Sequence, residues 1–451
     1  MLPKLAAIVV LAFVVYLFWS DSKKPNQPSA ALWIPLLWMF LAGSRWASSW
    51  LNLSVPRESA DDYAEGSPVD RAVFFALIAV AAYVLSQRKI DWRRLLVQNK
   101  WIVFYFLYCL LSIFWTDEPF VLFKRWVKDL GNPIMVLVIL TEDRPYFAVG
   151  VILRRLAFLL LPLSVLFIRY YPELGRGYRI DGSPMFTGVG HQKNDLGLMC
   201  LISGIYFFWD FFQNRKRYFK AGIKDIAINL IFIGMLSWLL YMSNSQTSLA
   251  CLVVAVFLLG LSQARYIARR PSRIINVMVT VVLLAAILEA TLGIKENVFE
   301  VLGRDPTLTN RTDVWKTLKE MGTDPMVGAG FMSFWTGDRL LLIWQKIGTG
   351  INQAHSGYLE QYLNLGYIGV AFIGVISLSS LAKVRKHLDL DPQSALLRLC
   401  FIVTAALYNY TEASFYGINN MWLLLLLGCI EIPLRRARKE PSVNLSEAVP
   451  S

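Results

Sequence analysis

Of 451 residues, 56% are hydrophobic, 14% aromatic and 17% charged, and the mean hydropathy is +0.47. A water-soluble chain carries about 25% charged residues, and here the apolar excess falls in blocks of roughly 15 to 25 residues, the length that crosses a ~30 Å hydrocarbon layer. A soluble enzyme, a disordered chain and a membrane β-barrel, whose strands are short and alternate, are excluded. The balance of 45 Lys and Arg against 32 Asp and Glu leaves +13. In a membrane chain such an excess belongs to cytoplasmic loops and sets orientation, so no nucleic-acid partner is expected.

In chain order, thirteen apolar segments are expected, near 2–19, 31–50, 71–86, 101–115, 127–141, 146–168, 195–213, 225–242, 247–262, 274–292, 357–381, 395–413 and 419–433. The first follows Lys4 and lacks a small-residue cleavage site after Phe18 and Trp19, so it reads as an uncleaved span. The fifth is the weakest, interrupted by Asp129, Gly131, Asn132 and Pro133. The fold class is therefore an all-α polytopic membrane protein of about 12–13 transmembrane helices with one large outer loop.

Five basic clusters fall on one side of this arrangement: Arg88 to Lys100, Arg215 to Lys224, Arg265 to Arg273, Lys383 to Lys386, and Arg435 to Lys439. The positive-inside rule makes that side cytoplasmic. Glu58, Asp61, Asp62, Glu65 and Asp70 then lie outside. Two long outer segments remain, 169–194 and 293–356, and long loops are where function concentrates. The second should hold a short amphipathic helix capped by Asn310, with Asp313 at the capping-box position and Val314, Leu318 and Met321 on one face. Four regions follow: N-terminal helices at 1–168, a core at 169–381 containing loop 293–356, C-terminal helices at 382–434, and a cytoplasmic tail at 435–451.

Among the three histidines, His387 falls in a basic cytoplasmic loop and reads as solvated. His191 and His355 each precede an outer helix start, where the helix dipole favours neutral imidazole. Both are candidates for a general base or for orienting a nucleophile; the plainer alternative is a hydrogen-bonded interfacial histidine. Arg179 and Lys193 flank the stretch from Gly182 to Gly190, and Arg311 opens the amphipathic helix. Arg binds phosphate oxygens as a bidentate fork, so this set suits a diphosphate group. Trp335, beside Phe331 and Phe334, could stack on a sugar or anchor the loop, the commoner role. Asp389-Leu390-Asp391 resembles a metal-holding D-x-D but sits in a loop too short for a nucleotide pocket. The five cysteines lie in apolar runs with no metal-ligand spacing, so neither disulfide nor zinc is expected.

These residues resemble the O-antigen ligase and Wzy-type O-antigen polymerase superfamily. His355-Ser356, nine residues, Gly366, two residues and Gly369 is similar to the pattern that ends that family's large periplasmic loop. The stretch from Thr307 to Trp315 looks like the family's T-L-T-G-R-T-x-x-W, with Asn310 replacing the usual Gly. Gly328-Ala329-Gly330-Phe331 and Phe334-Trp335 follow in the family's order. Gly190-His191-Gln192-Lys193-Asn194-Asp195-Leu196-Gly197 resembles the G-H-K-N-x-L-G segment of succinoglycan-type exopolysaccharide polymerases, with Gln192 inserted.

The resemblance implies a metal-independent, cofactor-free membrane glycosyltransferase of the C type in the bacterial inner membrane. Its donor would be a glycan on undecaprenyl diphosphate, and its site would face the periplasm. By position, Arg311 and Arg179 would hold the diphosphate and His355 would activate the acceptor hydroxyl. His191, Lys193, Asn194 and Trp335 would bind substrate. Partners implied are the lipid-linked donor and acceptor, the bilayer, a flippase and a chain-length co-polymerase. The acceptor stays open: a second repeat unit makes the chain a polymerase, lipid A core or a protein makes it a ligase. A transporter without chemistry is the reading from another class.

Overall fold

The computed structural model describes residues 2–53, 67–178, 182–220, 223–292, 311–347 and 351–433, without the side chains of 214–220, 223–225, 285–292 and 311–313. The acidic residues from Glu58 to Glu65, Arg179, Asn310 and the tail at 435–451 therefore lie outside the described residues.

The N-terminal part holds α1 (Pro3–Ser22), α2 (Trp33–Gly43), the single turn α3 (Ala47–Trp50), α4 (Pro68–Gln87), α5 (Trp92–Gln98) and α6 (Lys100–Leu111). Next come α7 (Pro119–Asp129), α8 (Gly131–Leu140) and α9 (Pro145–Tyr170). The turn α10 (Pro172–Gly175) leads into an antiparallel hairpin of β1 (Arg176–Tyr178) and β2 (Pro184–Phe186), with Arg176 opposite Phe186. The middle of the chain forms α11 (Lys193–Lys220), α12 (Ile223–Ser243), α13 (Gln246–Leu261), the turn α14 (Arg265–Ala268) and α15 (Arg273–Leu292). The large loop contributes α16 (Arg311–Lys319) and α17 (Gly337–Ile347), and α18 (Gly357–Leu388), α19 (Pro392–Thr411) and α20 (Asn420–Cys429) complete the described chain. Proline is the first residue of α1, α4, α7, α9 and α19, where its fixed φ suits the helix and its missing N–H costs nothing.

Seven described helices are long and apolar enough to cross a membrane, α5 and α6 form a bent pair at 85°, and four apolar helices are shorter. These correspond to twelve of the thirteen expected segments. The remaining one, 127–141, is divided between the amphipathic α7 and the ten-residue α8, so the interruption read from its glycine and proline is real. A ten-residue helix spans about 15 Å. Both α8 and the equally short α20 are buried among other helices, which allows non-helical backbone at their ends. Helices α9, α11 and α19 are buried along most of their length, whereas α1 and α4 lie at the periphery.

Hydrogen bonds and ion pairs sort the loops into the two groups expected from the alternation. At one end Arg155 Nε meets Asp21 at 2.8 Å, Arg88 meets Glu142, Asn99 is bonded to Glu431, and Ser272 N donates to Asp389 at 3.0 Å. At the other, Arg45 donates to the Leu174 carbonyl, Phe331 N to Ser112 Oγ at 2.8 Å, and Asn194 to Glu412 at 2.9 Å. The D-x-D pair has a structural task at the first end: Asp391 caps α19 through Ser394, and Asp389 ties that loop to Ser272. The five cysteines are free and buried.

Candidate active site

The start of α18 is built from the motif around His355. Ser356 is its N-cap, accepting a hydrogen bond from Leu359 N at 3.4 Å, so His355 stands just ahead of the helix as expected. His355 adopts a left-handed backbone at φ +51°. That region is sparsely used by residues other than glycine and costs about 1–3 kcal/mol, so the surroundings must over-determine it. They do. The Ala354 carbonyl accepts from Trp315 Nε1 at 2.7 Å, the Ala354 amide donates to Glu360, and Gly357 N donates to the Glu412 carbonyl at 2.9 Å.

Glu412, just past the end of α19, joins the two sequence motifs. Its Oε1 accepts from Asn194 Nδ2 at 2.9 Å, and its Oε2 lies 3.7 Å from His355 Nδ1. Asn194 is in the first turn of α11, whose start is fixed by Asp195: its carboxylate reaches back to the amides of His191 and Gln192, both at 3.1 Å. This is a capping box with Asp in the third position. His191 is exposed, and Lys193 and Asn194 are half-buried beside it. Of the expected set, His355 and Asn194 are brought to one carboxylate, with Lys193 and His191 on the adjoining turn. The His355 side chain is 32% exposed, enough for a reacting group to reach it.

Arg311 is the first residue of α16, one turn before Trp315, and Trp315 is bonded to the residue preceding His355. The helix expected from Val314, Leu318 and Met321 is present, and Leu318 is buried in a small cluster with Phe334, Trp335, Leu340 and Ile343. The Arg311 side chain and Arg179 lie outside the described residues. Trp335 is buried, and its indole N–H is shared between the two oxygens of Glu360 at 3.1 and 2.9 Å. That is how a loop anchor behaves.

The motif's glycines act on the same element. Gly366 breaks α18 with φ +64° and ψ −165°. The loop at 325–330 docks on this break: Tyr367 N donates to Pro325 O at 2.9 Å, and Gly330 N to Asn364 O at 2.8 Å. A side chain at 366 would meet the Met326 carbonyl at 2.1 Å. The spacing from His355 to Gly366 thus fixes where the outer loop lands relative to the histidine.

Two carboxylates at this site lie outside the sequence expectations, Glu412 and Glu360. Glu412 stands at a span end, and nothing in its spacing ties it to His355 or Asn194. Glu360 carried a usable signal, since an ionisable residue inside an apolar span marks a functional or paired site.

Residues 230–374 match the O-antigen ligase family, a stretch that contains Arg311, Trp335, His355, Gly366 and Gly369. The chain is also 26% identical over 391 residues to "Exopolysaccharide production protein ExoQ" of Rhizobium meliloti (strain 1021), covering 80% of this chain and 85% of that protein. With a multi-pass helical scaffold and the motif geometry around His355, these matches make the chain similar to the O-antigen ligase and polymerase superfamily.

Proposed function

We propose that the chain is a polysaccharide polymerase that joins oligosaccharide repeat units carried on undecaprenyl diphosphate, at the periplasmic face of the bacterial inner membrane. The observation that carries this reading is the meeting of His355 and Asn194 at Glu412, which unites the family motif with the segment resembling exopolysaccharide polymerases. A sugar hydroxyl needs a base to become a nucleophile, and a diphosphate leaving group needs fixed cations. His355 supplies the base. A proton on Nδ1, facing Glu412, leaves the lone pair on Nε2, and the carboxylate stabilises the imidazolium that forms on proton transfer. Arg311 and Arg179 supply the cations for the departing diphosphate, with Lys193 at the edge of the site. His191 would complete the sugar-binding side, while Trp335 anchors the loop beneath it.

A transporter would keep ionisable groups near the bilayer midplane. Against that reading, Arg154 and Arg155 are paired with Asp21, and Arg398 with Glu431, toward one end of the bundle. The test is elongation of lipid-linked repeat units by purified protein in detergent, with no gradient present. A ladder of lengthened products supports polymerisation. In a deletion strain, loss of glycan attachment while long lipid-linked polymer accumulates would instead make the chain a ligase.

A further inference from the structure

One buried carboxylate beside this site belongs to none of the roles above. Glu360, in the first turn of α18, is fully buried. Trp335 Nε1 lies within hydrogen-bond distance of both its oxygens, Ala354 N donates to Oε1, and Asn364 Nδ2 stands 3.3 Å from Oε2. The Tyr416 hydroxyl is bonded to it as well. Burial, reinforced by the Glu360 charge, pushes the Tyr416 hydroxyl well above the usual phenol range, so it remains a donor.

All four partners are donors, and a carboxylate accepts only. A carboxamide in its place would turn an N–H against at least one of them. The donors also come from separate parts of the chain: the outer loop at Trp335, the residue before His355, the second turn of α18, and the loop after α19. Ala354 is therefore held from both sides, its amide on Glu360 and its carbonyl on Trp315.

We infer that Glu360 is a positioning residue, holding Ala354 so that His355 keeps the left-handed backbone that brings its imidazole to Glu412. The role rests on the glycosyl-transfer reading for its kinetic consequence, but not for its structural one. Glu360→Gln, in the full-length purified protein, tests both. Amide exchange in the peptide covering 351–356 should rise at least about tenfold, with the spans unchanged, because a carboxamide must turn its N–H toward either Ala354 or Asn364 and the brace that holds the Ala354 amide loosens. In the elongation assay kcat should fall roughly 10- to 100-fold, the scale of a misplaced catalytic group, while KM for the lipid-linked donor stays within about twofold. Glu360→Asp keeps the charge but withdraws it by one methylene, and should show the same split should the Gln variant fail to fold. Unchanged exchange at 351–356, or a fall in kcat without it, overturns the assignment. A wild-type protein that elongates nothing, while its Gln variant still loosens 351–356, removes the transfer reading and leaves the brace standing.

Discussion

The His355 imidazole and the Glu412 carboxylate, 3.7 Å apart, are the pair on which the proposed chemistry turns. Replacing His355 by Ala is expected to abolish polymer while leaving the protein in the membrane, since losing a general base costs about 10²–10⁴ in rate. Glu412→Gln keeps the shape and the contact to Asn194 but removes the charge that stabilises imidazolium, so it should slow the purified enzyme about tenfold or more. A His355→Ala strain with normal polymer would move the base to His191. Arg311→Ala should be as damaging, and Arg311→Lys nearly so, because one ammonium cannot reproduce two parallel contacts to diphosphate oxygens. His387→Ala is the control: its ring is bonded to Lys383 O at the opposite end of the bundle. His355 was legible because it sits in a spaced motif at a helix start. Glu412 was not, since a contact between the end of one span and the beginning of another leaves no periodicity in the chain.

At the scale of the element, α18 is two helical pieces joined at Gly366. Hydropathy alone predicts an apolar span at 357–381, in which Gly366 and Gly369 form a spaced motif without a shape. Their shape is a break, and it is needed because the backbone at Met326 and Val327 occupies the space a side chain would fill. Gly366→Ala adds a Cβ into that backbone and also forces alanine to φ +64°. The expected result is a lower thermal midpoint in detergent, reflecting a loss of about 1–3 kcal/mol from the backbone conformation alone, with the outer loop detached from α18. Gly374→Ala, in the same helix with nothing within 4 Å of the new methyl, should be neutral or stabilising by up to about 1 kcal/mol. If both variants melt alike, the break at Gly366 does not hold the loop. The short α8 and α20 mark the limit of the same kind of reading. Apolar composition located them, but helix length depends on which neighbours bury the ends, and that is a property of the packed bundle.

For the whole molecule, the strongest expectation from sequence was the partition of loops between two faces, and it is independent of any family. The contacts among described residues reproduce that partition even across the divided fifth segment, because α8 still carries the chain from the end holding Gly417 to the end holding Glu142. Which face is expected to be cytoplasmic follows from charge. Arg88, Lys89, Arg93 and Arg94 share one end with Arg265, Arg269, Arg270 and Arg273, and with Lys383, Arg385 and Lys386, all in short connections or in the helix ends beside them, where the positive-inside rule applies. The opposite end carries His355 and the exposed Asp338 of α17. On a background with the five buried cysteines replaced, Asp338→Cys should therefore react with an impermeant maleimide on intact cells, and the exposed Arg270→Cys only after the membrane is opened. Labelling of position 270 but not 338 would reverse the orientation and put the site with the nucleotide-sugar pool instead of with translocated lipid-linked units. Equal labelling of both from outside would break the alternation itself, and with it the placement of His355 and Asn194 on a common face.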